Sequence, residues 1–149
     1  GAQEEIKGSF SEHFANIKSK YFSDEEKRRI ILGTFVRTAG YKDKYYMKAL
    51  KIREKIKQDF TILFKKYDAL LTPSMPIVAP RFDEIARLKP IEAYALDSCT
   101  IPPNLAGIPH LSIPMGKVNN MPVGLQVMCD IWQENTLFEF GKSIEAKLR

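Results

Sequence analysis

Histidine and cysteine, the side chains that most often carry nucleophilic or metal chemistry, are scarce: two of each in 149 residues. Cys99 and Cys129 lack the close spacing of metal ligands, which argues against a cysteine-based metal centre and suggests a reducing, cytoplasmic setting. His13 falls in a polar N-terminal segment and His110 follows Pro109 in a turn, so each reads as a surface or loop residue rather than a general base. Cys99 has no histidine or cation near it in sequence to lower its pKa, and reads as a small buried residue. Glycines come no closer together than Gly1 to Gly8 or Gly33 to Gly40, so no phosphate-cradling loop is present. A Gly-x-Ser-x-Gly elbow, a Ser-x-x-Lys pair and a His-Glu-x-x-His helix are missing too. No run approaches the roughly 20 apolar residues that span a bilayer. The opening Gly1-Ala2-Gln3-Glu4-Glu5 is polar and acidic, with no signal-peptide core behind it.

What is present belongs to a folded chain. A hydrophobic fraction of 44%, with one Trp, six Tyr and nine Phe, is enough to build a core. Residues 1–149 read as one domain, or as a fragment of one. The net charge of +5 is modest, and its Lys and Arg residues are spread along helical stretches. They read as solvated helix faces; an RNA-binding surface is the alternative.

The pattern is helical over about 1–67, strand, loop and hairpin over about 68–130, and helical again over about 134–147. Residues 3–20 suggest a first helix. Ser23-Asp24-Glu25-Glu26 is a capping box, and its helix runs through Arg37 to a stop at Gly40. A longer helix follows from about Lys42 to Tyr67, with Tyr46, Leu50, Ile56, Phe60, Phe64 and Tyr67 on one stripe. Arg53 shares that stripe, either as a snorkelling stem or as a buried cation with a partner. Ala69-Leu70-Leu71-Thr72 suggests a short buried strand ended by Pro73, and the prolines of 73–90 an irregular excursion. Leu111–Met115 and Val123–Met128 form a hairpin across Gly116–Asn120. The class is α/β, with strands too few and too short for a complete sheet.

Several motifs together carry a resemblance. They are Lys27-Arg28-Arg29-Ile30 with Leu32-Gly33-Thr34-Phe35, Gly40-Tyr41 with Tyr45-Tyr46, Asp97 to Gly107, and Pro122-Val123-Gly124-Leu125-Gln126. Over roughly residues 20–148 the chain resembles the C-terminal portion of the amidase signature family. Asn104–Gly107 and Pro122–Gln126 are shared widely in that family. The Lys-Arg-Arg-Ile helix and the Gly-Tyr…Tyr-Tyr segment resemble its tRNA-dependent amidotransferase branch. Thr72-Pro73-Ser74-Met75-Pro76 and Pro103 depart from the usual pattern, and residues 1–19 match poorly.

The resemblance implies an amidase-signature fold, helices on a mixed β-sheet, with the sheet incomplete in this chain. It implies a subunit that hydrolyses glutamine and supplies ammonia for converting Glu-tRNA(Gln) to Gln-tRNA(Gln). The family's Ser–Ser–Lys triad lies upstream of the matched portion, so no catalytic residue is expected here and the chain alone should be inactive. Two substrate contacts are implied. Arg29, preferred over Arg28, would hold the glutamine α-carboxylate through a planar guanidinium, and Asp97 would receive the α-ammonium. Without the family, Arg29 would only pair with Glu25 and Asp97 would only cap the turn at Thr100–Pro102. No metal or cofactor is expected on this chain, with ATP and Mg²⁺ at a partner subunit. Expected partners are glutamine, the other subunits and charged tRNA, with no membrane. The alternatives are another amide hydrolase of the family, or an RNA-binding or subunit-docking module.

Overall fold

The computed structural model describes residues 8–148. They fall into two compact units, one up to Leu50 and one from Lys51 onward. In the first, helices α1 (Phe10–Tyr21) and α2 (Asp24–Phe35) begin alike. Ser9 and Ser23 lie in extended backbone, and each hydroxyl accepts from the amide three residues on. Glu12 and Glu26 return the contact, accepting from the serine amides at 2.9 and 2.6 Å. Amides that a helix start leaves without partners are thereby satisfied. The second box is the one expected at Ser23–Glu26. The first lies within the helix expected over 3–20, of which residues 3–7 fall outside the described residues.

Helix α2 stops at Phe35, two residues short of the expected Arg37, and Gly40 adopts φ +86° in the turn that follows. The helix expected from Lys42 opens instead as a π turn, Lys42–Tyr46, before α3 (Met47–Phe64). Across that turn the Tyr41 ring packs tilted against Phe35, with centroids 4.4 Å apart, and stacks on Tyr45 at 6.0 Å. Neither α1 nor α2 buries a residue.

The second unit carries the core. Strands β1 (Leu70–Pro73), β2 (His110–Val118) and β3 (Met121–Met128) form an antiparallel sheet in the order β1-β3-β2. The hairpin is tighter than expected: its turn is Asn119-Asn120, both at positive φ (50° and 64°), and the strands extend toward it. Such a two-residue turn matches the twist of antiparallel strands, and asparagine tolerates the left-handed region. Met115 is an extra residue opposite the Gly124–Val123 step, a bulge followed by Gly116 at φ +140°. Strand β1 alternates between half-buried and exposed positions, rather than being buried throughout as its apolar run suggested.

Each face of the sheet has its own cluster. On one face Ile113, Val127 and Cys129 pack with Leu137 of α7 (Glu134–Leu148), joined by Ala69, Leu111 and Ile144. On the other, Met128 packs with Ala106 and Ile108, joined by Leu70 and by Ile56, Phe60 and Phe64 of α3. Of the stripe read from the sequence, Ile56, Phe60 and Phe64 pack against this cluster, whereas Leu50 and Tyr67 are exposed. The excursion over 73–90 contains a six-residue helix, α4 (Phe82–Arg87), and ends on α5 (Pro90–Ala95), where Pro90 at the first turn forgoes an amide with no helical partner. Helix α6 (Ile101–Ala106) completes the unit.

Backbone and hydroxyl contacts from Ser23 hold the Glu26 carboxyl below its ordinary value of 4.5. A lowered folded-state pKa means that this contact stabilises α2 above about pH 4.5 and is lost as pH falls through the folded value. An NMR titration of the Glu26 carboxyl should give a pKa below 4.5. Ser23→Ala should move it part of the way back, because the backbone amide, the larger contribution, remains.

Candidate functional site

Asp97 follows α5 in the turn that leads into α6. Its backbone carbonyl accepts from the Thr100 and Ile101 amides at 3.0 and 2.9 Å, and from the Thr100 hydroxyl at 3.2 Å. The turn is thus capped by the main chain of Asp97, which leaves its carboxylate unused. That half-buried carboxylate carries no hydrogen bond or ion pair among the described residues. The next element is as rigid as six residues allow. Pro102 and Pro103 occupy its first turn, where helix amides have no partner to lose. The Asn104 side chain donates to the Thr100 carbonyl at 2.8 Å, and Gly107 closes the helix at φ +75°. Asn104–Gly107 is framework.

Two long-range hydrogen bonds anchor this segment. Arg53 Nε of α3 donates to the Leu105 carbonyl at 2.8 Å, placing a cation at the C-terminal end of α6, where the helix dipole favours it. Arg53 is exposed, so of the two readings open to it the buried cation falls away, and its partner is a backbone carbonyl. Gln126 Nε2 of β3 donates to the Cys99 carbonyl at 3.0 Å and to Thr72 Oγ1 at 3.3 Å. Beside Gln126 on the same face, the Ser74 and Ser112 hydroxyls meet at 2.5 Å over Gly124. A Cβ at Gly124 would lie 2.7 Å from both oxygens, so a larger residue there requires the serine hydroxyls to move.

Arg29 lies in the first unit, on α2, with its Nε 2.8 Å from Glu25 Oε1. Arg28 pairs with the same glutamate. The pairing with Glu25 anticipated from the sequence is therefore present, with the Arg29 side chain 63% exposed. Arg29 and Gly33, one helical turn apart on α2, and Arg37 in the turn after it border an open groove of about 560 Å³. A larger concavity, about 650 Å³, lies in the second unit between residues 71–80 and Pro122–Leu125. It had one signal in the sequence: Met75, Ile77 and Val78 are apolar residues within an irregular, proline-rich stretch.

Among the described residues no nucleophile is paired with a base. Cys129 is fully buried, and burial, with the Asp68 carboxylate adding to it, pushes its thiol pKa up. Cys99 is half-buried rather than buried. The His110 ring faces the Ile108 carbonyl at 3.1 Å. Among the described residues no group of three His, Cys, Asp or Glu could hold a metal ion, and no helix is long and apolar enough to cross a membrane.

The described residues thus form an α/β piece with a small antiparallel sheet and a braced acidic turn. Residues 2–138 match the Amidase family model, and the chain belongs to that family. The match reaches past the stretch beginning near residue 20 on which the resemblance rested. Among its relatives is the glutamyl-tRNA(Gln) amidotransferase A-subunit of Desulforamulus reducens, 52% identical over 132 residues, 89% of this chain and 27% of that protein. Another is the A-subunit from Saccharolobus solfataricus, 40% identical over 148 residues, 99% of this chain and 31% of the relative. Among solved structures, the glutamyl-tRNA(Gln) amidotransferase A-subunit from Thermotoga maritima aligns with a TM-score of 0.62 at 39% identity, covering 86% of this chain and 28% of that one. A structure described as an amidase aligns with a TM-score of 0.69 at 27% identity, covering 93% and 32%. The chain spans less than a third of the length of these relatives.

Gly124→Ala should force the Ser74–Ser112 pair apart and lower stability by about 1–2 kcal/mol, from overpacking and a lost hydrogen bond. Denaturant unfolding of the protein and its variant would measure it. A difference within about 0.5 kcal/mol would mean that the hydroxyls reorient without loss.

Proposed function

We propose that this chain is the C-terminal portion of the glutamine-hydrolysing subunit of a tRNA-dependent amidotransferase, working in the cytoplasm. The observation that carries this is the 52% identity, over 89% of the chain, to the A-subunit of a glutamyl-tRNA(Gln) amidotransferase. The site supports it. Asp97 offers a carboxylate without a protein partner among the described residues, in a turn fixed at both ends, as recognition of an α-ammonium requires. By the resemblance Arg29 would hold the α-carboxylate; on α2 its guanidinium pairs with Glu25. The chain itself would hold substrate and leave amide cleavage to the Ser–Ser–Lys triad upstream in the family, so it would be inactive alone. Released ammonia would pass to partner subunits that bind ATP and Mg²⁺ and convert Glu-tRNA(Gln) to Gln-tRNA(Gln).

The amidase aligned with a TM-score of 0.69 favours a second reading, a hydrolase of another small amide, for which Arg29 would be dispensable. In the subunit carrying the upstream region, Arg29→Ala and Asp97→Ala should each raise KM for glutamine by about 10- to 100-fold. That is the range expected for losing a charge-assisted hydrogen bond. Glutaminase kinetics measure it. Unchanged glutamine turnover in both variants would remove the site assignment and leave the second reading. A salt-sensitive tRNA gel shift by this chain, together with no glutaminase activity in the longer one, would point instead to an RNA-binding module.

A further inference from the structure

Gln126 is a buried polar side chain, 2% exposed, in the central strand of the sheet. An amide in such a place costs free energy unless its hydrogen bonds are made, and a leucine or methionine would fill the same space without that demand. The hydrogen bonds show what the amide does. The Cys99 carbonyl can only accept, so it fixes which end of the amide faces the turn, and the nitrogen reaches it at 3.0 Å across 27 residues of sequence. Within the turn two further carbonyls are satisfied locally. Asp97 is taken by Thr100 and Ile101, and Thr100 by Asn104. The Cys99 carbonyl is thus the point at which the turn is tied to the sheet, two residues from the Asp97 carboxylate. Thr72, opposite Gln126 in the register, steadies the amide at 3.3 Å.

We propose that Gln126 is a positioning residue for substrate recognition: through the Cys99 carbonyl it holds the 97–100 turn so that Asp97 meets the substrate α-ammonium. This rests on the assignment of Asp97 made above. An apolar residue at 126 would preserve the packing of β3 but release the turn, so binding of the ammonium would suffer and amide cleavage would not.

The test uses the full-length subunit in its assembled complex and two substrates: glutamine, and 5-amino-5-oxopentanoate, which is glutamine without the α-amine and makes no demand on Asp97. Gln126→Met should raise KM for glutamine about tenfold, leave kcat within about twofold, and leave kcat/KM for the deamino analogue unchanged. An equal loss on both substrates would reduce Gln126 to a packing role and overturn the proposal, as would unchanged kinetics on glutamine. Asp97→Asn, run in parallel, separates the two layers. If it discriminates between the substrates and Gln126→Met does not, only the role of Gln126 falls. If Asp97→Asn fails to discriminate, the assignment of Asp97 falls and the proposal with it. Should Gln126→Met not fold, Gln126→Leu is an apolar alternative that cannot donate to the Cys99 carbonyl, and the same comparison of substrates decides.

Discussion

Because β3 is paired along both edges and covered on both faces, four consecutive residues at its end fix the second unit. Gln126, Val127, Met128 and Cys129 are each no more than 3% exposed. Strand alternation sends Val127 and Cys129 toward α7, and Gln126 and Met128 toward the other face. One short stretch therefore serves two apolar clusters and one polar tie at once. A register slip of a single residue would turn Gln126 into the α7 cluster and carry Val127 to the face where Thr72 and the Cys99 carbonyl need a donor. The pairing of β3 with β1 and β2 excludes that slip, and the turn that bears Asp97 depends on it through the Cys99 carbonyl.

The first unit follows a different logic. Its helices are held by local devices: two capping boxes, a shared ion pair at Glu25, and contacts between three aromatic rings around the turn after α2. Isolated helices of 12 residues are marginal in water, and packing of an apolar face normally supplies the rest. Here Ile31 and Leu32 remain 69% and 54% exposed. Arg29 sits on this helix, so local order fixes its pairing with Glu25, and no tertiary core constrains it among the described residues.

Elements whose signals are local were legible before any coordinates. The Ser23–Glu26 box, the stripe on α3 and the final helix each follow from spacing, since helix starts and amphipathic faces are written within a few turns of sequence. The hairpin was legible as well, but not its turn: Val118 and Met121 lack the turn chemistry of Asn119-Asn120, so strand and loop could not be divided by composition alone. Helices α4 and α5 were missed because six residues are too few to show a period, and the prolines around them signal irregular chain. At β1 an apolar run suggested burial on both sides, whereas the sheet ends there and leaves Leu71 exposed at the edge. Arg53 could not be assigned from its stripe, because its partner is a carbonyl 52 residues away.

What the sequence determined by itself was the family, through short motifs that act over a few residues and place the chain among amidases; Asp97 and Arg29 as candidate contacts are what that resemblance implies. Only the tertiary structure decided that the backbone of Asp97 caps its turn while the carboxylate stays unpaired among the described residues. It also decided that Gln126 reaches that turn, and that Gly124 lies beneath two serine hydroxyls. The last two depend on which strands lie side by side and in what register, and a bond such as that from Gln126 to the Cys99 carbonyl, across 27 residues, leaves no local trace in the chain.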